Sequence, residues 1–310
     1  MCCLFGLLDY SNRFSAKDKN LILSILSAEC EIRGIDATGI AYNYHNQLRV
    51  YKRPLPAHKL RYAVPESAQC IMGHTRMTTQ GNEKRNYNNH PFAGTVQSGN
   101  FALAHNGIIT NDEHLRKKES LPSTKIQTDS YIAVQLLEQQ NALTFDSLKY
   151  MAEKVEGSFT FTALDNRNNL FMVRGNNPFS LCHFSDHGFY LYASTDEILK
   201  STLAKLNIAD CRHESIPLSI GEILRIDNRG RITRSSFDAS ELYLGWGYRR
   251  YSVFRGETLP LNQNAMGSLY IQELKDVASC YGLAPEDIDA LLLEGFSCDE
   301  IEEILYNEYV

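Results

Sequence analysis

Hydrophobic residues recur at two different spacings in the first 240 residues of the chain, one typical of helices and one typical of strands. Apolar residues at helical spacing predict helices over 15–34, 128–140, 145–157 and 196–206. Alternation predicts strands over 2–10, 69–76, 100–107, 158–165, 169–175 and 188–195, and hairpins over 38–53 and 221–237. The strands come in groups and so do the helices, which favours antiparallel sheets covered by helices, an α+β fold.

Capping residues and glycines mark several predicted element ends. Ser15 and Asp18 form a capping pattern for the first helix, and Thr128 or Asp129 is the expected cap of the second. Gly107 is expected to end the strand over 100–107, and Gly157 to end the helix over 145–157. Residues 77–92 are polar, and we predict a long ordered loop there, a feature that is often functional in compact domains.

The pattern changes near residue 240. Residues 241–266 are aromatic and arginine-rich without clear periodicity, and the remainder reads as short helices, the last two separated by Gly295 with a Ser297–Glu300 capping pattern. We therefore predict one large domain over 1–240 and a linker with a small helical appendage over 241–310. The appendage is too small for a large core, so it either packs on the first domain or offers an apolar face to a partner protein.

Composition excludes several classes of protein. The chain has 310 residues, of which 43% are hydrophobic and 22% charged, and its net charge of -6 argues against nucleic-acid binding. No apolar run approaches the length of a membrane helix, so no membrane association is expected. The eight cysteines lack paired metal-site spacing, and the N-terminus lacks a secretory pattern. We expect reduced thiols in the cytoplasm, no metal and no cofactor.

The chain opens with "MCCLFG", which places a thiol at position two. Removal of the methionine would put a nucleophilic thiol and a free α-amine on one residue, Cys2, and the amine could act as the base for its own side chain. From these six residues alone, we favour the interpretation that Cys2 and Cys3 are small apolar residues of an edge strand.

Four further segments accompany this opening: "RGIDATGIA" (33–41), "GHTRMTTQG" (73–81), "NNHPF" (88–92) with "AHNG" (104–107), and "TDS" (128–130). Their order and content resemble the class II glutamine amidotransferases, N-terminal-nucleophile enzymes that release ammonia from glutamine, as in the glutaminase domains of glucosamine-6-phosphate synthase and of the first purine-pathway amidotransferase. The resemblance covers residues 2 to about 240. It implies a four-layer αββα sandwich and L-glutamine as substrate.

The resemblance also assigns roles to individual residues. Cys2 matches the family's nucleophile, and Asn106 and Gly107 match its oxyanion-stabilising pair, although Asn-Gly is also the commonest sequence of a tight turn. Arg76 matches the arginine that binds the substrate's α-carboxylate, and Asp129 the aspartate that binds its α-ammonium. Thr79 offers a hydroxyl or backbone group to the ligand.

The chain departs from the family pattern at three positions. Met77 stands where many members have tryptophan, Gln80 where they have histidine, and Cys3 where they usually have glycine. The first two belong to the loop that closes over glutamine, so they bear on affinity and gating. His74, His90 and His105 lie inside the motifs, and we interpret them as structural residues that hydrogen-bond the loops.

The predicted function is release of ammonia from glutamine for an unidentified acceptor, with an acceptor enzyme as a possible partner of the appendage. Two other functions remain open at this point. One is hydrolysis of a different acyl amide by the N-terminal cysteine, which would not need Arg76 and Asp129. The other is a non-catalytic glutamine-binding protein that signals through its helical tail.

Overall fold

The computed structural model describes residues 2–243 and, beyond them, 271, 274–275, 278, 283–294, 296, 301 and 304–305. The chain divides into two compact units, Met1–Asp238 and Ala239–Val310. None of the helices in the described part combines the length and apolar character that a membrane span requires. The candidate site lies in the first unit.

The first unit contains thirteen described strands and five described α-helices. The strands are β1 Cys3–Asp9, β2 Ala37–Tyr44, β3 Gln47–Arg53, β4 Cys70–Arg76, β5 Phe92–Val96, β6 Gly99–Ile109, β7 Gly157–Asp165, β8 Leu170–Arg174, β9 Ser180–Phe184, β10 Phe189–Ala193, β11 Glu214–Ser215, β12 Glu222–Ile226 and β13 Ile232–Ser236. The helices are α1 Ala16–Glu29, α2 Asp112–Lys118, α3 Tyr131–Gln140, α4 Phe145–Lys154 and α5 Asp196–Lys205.

The strands form two sheets that stack face to face. The first has the order β11-β9-β10-β1-β4-β2-β3 and the second β13-β12-β8-β7-β6-β5, and every described pairing is antiparallel. Apolar residues from both sheets, such as Leu4, Met72 and Ala104, share one buried cluster between them. This packing of two apolar sheet faces forms the central layers of the molecule.

Helices cover the outer faces of both sheets. Helices α1 and α5 contact each other and share a buried cluster with the first sheet, to which Leu23 and Leu199 contribute. Helix α3 packs on β5, and Phe145 of α4 stacks edge-on against Phe171 of β8 with ring centroids 6.1 Å apart. The predicted four-layer αββα sandwich is therefore confirmed.

The predicted end at Gly107 is wrong, and so is the alternative of a tight turn there. Strand β6 continues to Ile109, and Gly107 pairs with Phe159 of β7 while adopting a φ of +132°. Glycine is needed because a Cβ at this position would lie 2.1 Å from the Ser158 carbonyl oxygen. Gly157 likewise begins β7 and does not end α4, whose C-cap is Val155.

Local signals identified some elements and missed others. The capping box of Ser15 and Asp18 is present at α1, which confirms that prediction. The cap predicted for α3 is wrong, because its N-cap is Ser130, without a side-chain capping bond. Strands β5, β9 and β11 and helix α2 were not predicted, because each is short and carries little periodicity of its own.

The second unit is described only in part. Helix α6 spans Pro285–Leu293, with Ile288 buried and Leu293 exposed, and Lys275 pairs with Asp289 at 2.6 Å. Residues 244–270, which include Trp246, lie outside the described residues, as does the predicted capping pair Ser297 and Glu300. The proposed boundary at residue 240 and the role of the appendage stay predictions.

Candidate active site

A cleft of about 250 Å³, counted with its opening to solvent, lies where the start of β1, the end of β4 and the segment before α3 converge. It brings together five of the six predicted site residues. Its lining consists of Cys2, Arg76, Met77, Thr79, Gln80, His90, His105, Gly107, Thr128, Asp129 and Ser130. The remaining lining residues lie within the motifs singled out in the sequence, as Thr128 and Ser130 do in "TDS", but they were not among the predicted site residues.

Cys2 precedes the central strand β1 and is partly buried. Its thiol donates a hydrogen bond to the Met77 carbonyl oxygen at 3.4 Å, and its own carbonyl accepts one from Arg33 Nε at 3.1 Å. Burial raises the pKa of the Cys2 thiol above its ordinary value, with Arg76 acting in the opposite direction. Burial is therefore the dominant influence on the pKa of this thiol.

Arg76 is the last residue of β4, and its side chain is only 3% exposed. Its Nη1 donates to Asn89 Oδ1 at 2.7 Å, and its Nη2 donates to the backbone carbonyl of Gln80. Burial lowers the pKa of the guanidinium, but an arginine stays charged at neutral pH. The cleft therefore contains a fixed, largely desolvated cation with further donors to spare.

Asp129 lies just before α3 and is 5% exposed. Its carboxylate does not cap the helix; Oδ2 accepts a hydrogen bond from the Ile109 N–H at 2.6 Å, and Oδ1 accepts one from the Ser130 hydroxyl at 3.3 Å. The extension of β6 past Gly107 is what brings Ile109 to this carboxylate. Cation and anion thus line one cleft beside a thiol.

The segment 33–36 supports the site through contacts with the backbone around Arg76 and Thr78. Asp36 accepts a hydrogen bond from the Thr78 N–H at 2.6 Å and donates its own N–H to the Arg76 carbonyl at 2.9 Å. Gly34 packs so closely that a Cβ there would lie 2.5 Å from the Arg76 backbone. Together with the Arg33 bond to the Cys2 carbonyl, these contacts fix Cys2 and Arg76 relative to each other.

Asn106 is the predicted site residue that does not line the cleft. Its side-chain Nδ2 donates to Ser194 Oγ at 3.3 Å, and Ser194 Oγ also accepts from the Leu4 N–H at 2.9 Å. Its backbone carbonyl accepts from Asn177 Nδ2 at 2.7 Å. Asn106 therefore ties the two sheets together next to Cys2, while Gly107 reaches the cleft itself.

Three buried histidines surround the cleft. His74 Nε2 lies 2.9 Å from the His105 carbonyl, and His105 Nδ1 lies 2.8 Å from Ser130 Oγ. The His90 ring lies against the His74 ring at a tilt of 35°, with ring centroids 4.1 Å apart. Burial lowers the pKa of all three, that of His74 to about 3, so they are neutral at physiological pH. Two of them hydrogen-bond neighbouring segments, as predicted for structural residues.

The arrangement suits capture of a zwitterion and nucleophilic attack. A forked cation and a carboxylate on one cleft can bind an amino acid's α-carboxylate and α-ammonium, and the thiol can then reach its side chain. Among the described residues, no cluster of three or more histidine, cysteine or acidic side chains could hold a metal ion.

Residues 74–201 match the family model described as a glutamine amidotransferase domain. This match includes Arg76, Gly107 and Asp129, and the first sheet adds Cys2 to the same cleft. Within these residues the chain is therefore similar to glutamine amidotransferase domains. The resemblance drawn from the motifs is thereby confirmed.

The curated relatives that this chain matches are longer proteins. A glutamine–fructose-6-phosphate aminotransferase (isomerizing) of Bacillus thuringiensis subsp. konkukian is 35% identical over 169 residues, which cover 52% of this chain and 27% of the relative. The protein of the same name from Staphylococcus aureus is 29% identical over 261 residues, 79% of this chain and 41% of the relative. The chain thus spans less than half the length of these relatives.

The fold of the domain also occurs in solved structures. The B. subtilis glutamine phosphoribosylpyrophosphate amidotransferase, in complex with ADP and GMP, superposes with a TM-score of 0.60 at 18% identity. The match covers 76% of this chain and 49% of the other. At this identity the likeness establishes a shared fold, and the α+β class predicted from the sequence is confirmed.

Proposed function

We propose that this protein hydrolyses the side-chain amide of L-glutamine, using Cys2 as the nucleophile, and releases ammonia for an acceptor. The observation that supports this most strongly is the convergence of Cys2, Arg76 and Asp129 on one cleft. A thiol alone would suit many acyl amides. A buried cation and a buried carboxylate beside it are needed only for a substrate with both charged α-groups.

The proposed reaction proceeds through a thioester. The sulfur of Cys2 attacks the side-chain carbonyl carbon, and the carbonyl oxygen becomes an oxyanion. The Gly107 N–H at the cleft is the first proposed donor. The Asn106 side chain is the second, and it would have to turn from Ser194 toward the cleft to donate. The C–N bond then breaks, and ammonia leaves with the proton that came from the thiol. Water attacks the resulting γ-glutamyl thioester, which gives glutamate and regenerates the thiol.

The proton transfers require a base close to the sulfur. We propose that the free α-amine of Cys2, exposed by removal of Met1, takes the thiol proton and passes it to the leaving nitrogen. Its ordinary pKa of ~7.7–8.0 lies near the working pH. Burial keeps His74, His90 and His105 neutral, and the proposal does not use any of them as the base that takes the thiol proton. Mass spectrometry of the purified protein should therefore find Cys2 as its first residue.

The acceptor side of the reaction is a second part of the proposal. Residues 1–240 would form the glutamine-hydrolysing domain, and residues 241–310 a linker and appendage that docks an acceptor enzyme. In helix α6 the exposed Leu293 is consistent with an apolar face available to another protein.

The six described cysteines are all free, which supports a reducing cytoplasmic setting.

Ammonia release from L-glutamine tests the catalytic proposal directly. The wild-type protein should release ammonia from L-glutamine and be labelled at Cys2 by a glutamine-mimicking diazoketone. Acyl amides without the two α-groups serve as the comparison, because an acylase of different specificity would prefer them. Labelling at Cys2 without turnover would leave a binding protein, and preference for another acyl amide would contradict the substrate assignment.

Truncation after residue 240 tests the role of the appendage. The shortened protein should stay soluble, keep its activity toward glutamine and lose a protein that co-purifies with the full chain. Loss of activity or of solubility would show that the appendage belongs to the enzyme itself.

A further inference from the structure

The two charged groups of the cleft are held exclusively by neutral partners. Within the described residues, neither Arg76 nor Asp129 takes part in an ion pair within 4 Å. Arg76 donates to an amide oxygen and a backbone carbonyl, and Asp129 accepts from a backbone N–H and a hydroxyl. Both side chains are at least nine-tenths buried, and buried charges are normally paired within the protein.

Asn89 is the main anchor of the cation. It is fully buried in the loop between β4 and β5, and its Oδ1 accepts from Arg76 Nη1 at 2.7 Å. Its Nδ2 donates to the Glu83 carbonyl at 2.8 Å, so the two partners determine which way the amide faces. An amide fixed in this way orients the guanidinium without cancelling its charge.

Gln80 connects the cation to the anion. Its backbone carbonyl accepts from Arg76 Nη2, and its side-chain Oε1 accepts from the Asp129 N–H at 2.7 Å. The side chain therefore braces the carboxylate-bearing residue, and the backbone braces the arginine. Gln80 is also the position where the chain departs from the histidine of many related domains.

We propose that Asn89 and Gln80 are positioning residues for amino-acid recognition, which hold Arg76 and Asp129 through neutral atoms so that both charges remain available to the ligand. This inference rests on the proposed function for its substrate. It assigns separate tasks to the two residues: Asn89 serves the site of the ligand's α-carboxylate, and the Gln80 side chain serves the site of its α-ammonium.

The neutrality of Asn89 is the property that matters most. Aspartate has nearly the same shape, but a carboxylate 2.7 Å from Arg76 would form the ion pair that the ligand is meant to form. A ligand carboxylate would then have to displace it. Loss of the Gln80 side chain would leave Arg76 with both of its acceptors and remove only the brace on Asp129.

Three substrates separate these effects in the full-length enzyme. L-Glutamine carries both α-groups, glutaramate lacks the α-ammonium, and 4-aminobutanamide lacks the α-carboxylate. Asn89→Asp should lower kcat/KM for glutamine and glutaramate by roughly 10- to 100-fold and leave 4-aminobutanamide unchanged. Gln80→Ala should lower kcat/KM roughly 3- to 10-fold for glutamine and 4-aminobutanamide and spare glutaramate.

Two further variants control for simple loop damage. Asn82→Asp makes the same chemical change in an exposed residue of the same loop, whose Oδ1 accepts only from the Lys84 N–H, and it should behave as wild type. Gln80→His supplies another acceptor and should restore most of what Gln80→Ala loses. Equal losses for all three substrates in both test variants would overturn the inference.

Calorimetric binding of L-glutamine in a Cys2→Ala background separates this inference from the proposed function. If the wild type releases no ammonia but the Cys2→Ala protein binds glutamine and the added Asn89→Asp change weakens binding, the proposed function fails and the inference stands. Binding that is unaffected by Asn89→Asp would overturn the inference alone. No binding at all would overturn both.

Discussion

The buried charged residues at the two ends of strand β1 have different kinds of partner. At its far end Asp9 and Lys19 are both fully buried and pair at 3.2 Å. Lys19 Nζ also donates to the Glu66 and Ala68 carbonyls at 2.6 and 2.8 Å, and Asp9 accepts from the Arg13 N–H at 2.9 Å. At the Cys2 end, the hydrogen bonds that the described residues make to the side chains of Arg76 and Asp129 come from neutral groups.

This difference separates structural charge from charge kept for a ligand. A buried ion pair whose remaining donors and acceptors are satisfied has no capacity left for a ligand, and its loss is felt as lost stability. Charges held by neutral atoms keep their field, at a cost in desolvation that a ligand of opposite charge relieves. The same strand thus ends in a structural site at Asp9 and in a candidate catalytic site at Cys2.

The largest expected effect is on turnover at the Cys2 end. Cys2→Ala should reduce ammonia release from glutamine by at least ~10³-fold, because the sulfur that forms the proposed thioester is then missing. Thermal unfolding should be unchanged, since Cys2 is only partly buried. Cys3→Ala is the matched control and should keep most of the activity. Near-normal activity in the Cys2→Ala protein would show that the nucleophile lies elsewhere.

The opposite end should respond in stability and hardly at all in catalysis. Asp9→Asn leaves the Lys19 ammonium buried without its counter-charge and should lower the free energy of unfolding by roughly 3–5 kcal/mol. Urea denaturation measures this, and KM for glutamine at 25 °C should stay unchanged. Lys200→Gln removes an exposed pair with Asp196 and should leave the urea midpoint in place. A large rise in KM for Asp9→Asn would contradict the division between the two ends.

Arg76→Ala should raise KM for glutamine with little effect on unfolding. The loss of a charge-assisted contact to the substrate carboxylate corresponds to roughly 2–5 kcal/mol in kcat/KM. Steady-state kinetics measure it, with Arg85→Ala as the control, because Arg85 is exposed in the neighbouring loop. An unchanged KM would refute the role of Arg76.

The smallest effect is a pH dependence of stability that arises from crowded cations. Burial, together with repulsion from Arg76, lowers the pKa of Lys52 from 10.5 to about 8. Between these two values the folded protein has lost the proton that the unfolded chain still holds, so stability should rise with pH. The free energy of unfolding should rise more steeply with pH in the wild type than in Lys52→Met, by at most about 1.4 kcal/mol per pH unit. The free energy of unfolding is measured by urea denaturation between pH 8 and 10. An equal change with pH in the wild type and in Lys52→Met would contradict this prediction.

Much of the architecture could be predicted from local pattern, and the exceptions have local causes. The long periodic helices and the hairpins over 38–53 and 221–237 were predicted because spacing and turn residues act within a few positions. We predicted that Gly107 ends a strand and that Gly157 ends a helix, because glycine ends such elements more often than it continues them. Here partner strands impose positive φ on both residues, which no local pattern reveals.

The sequence by itself determined the identities and the order of the chemical groups. The thiol at position two, Arg76, Gly107 and Asp129 were recognisable because a motif carries its residue types wherever the chain places them. Only the tertiary structure decided how these groups are held. That Asn89 and Gln80 brace the charges, and that Asn106 bonds to Ser194 between the sheets, depends on contacts between residues far apart in the sequence. Such contacts are made by packing two sheets and a loop together, and side-chain periodicity carries no information about them.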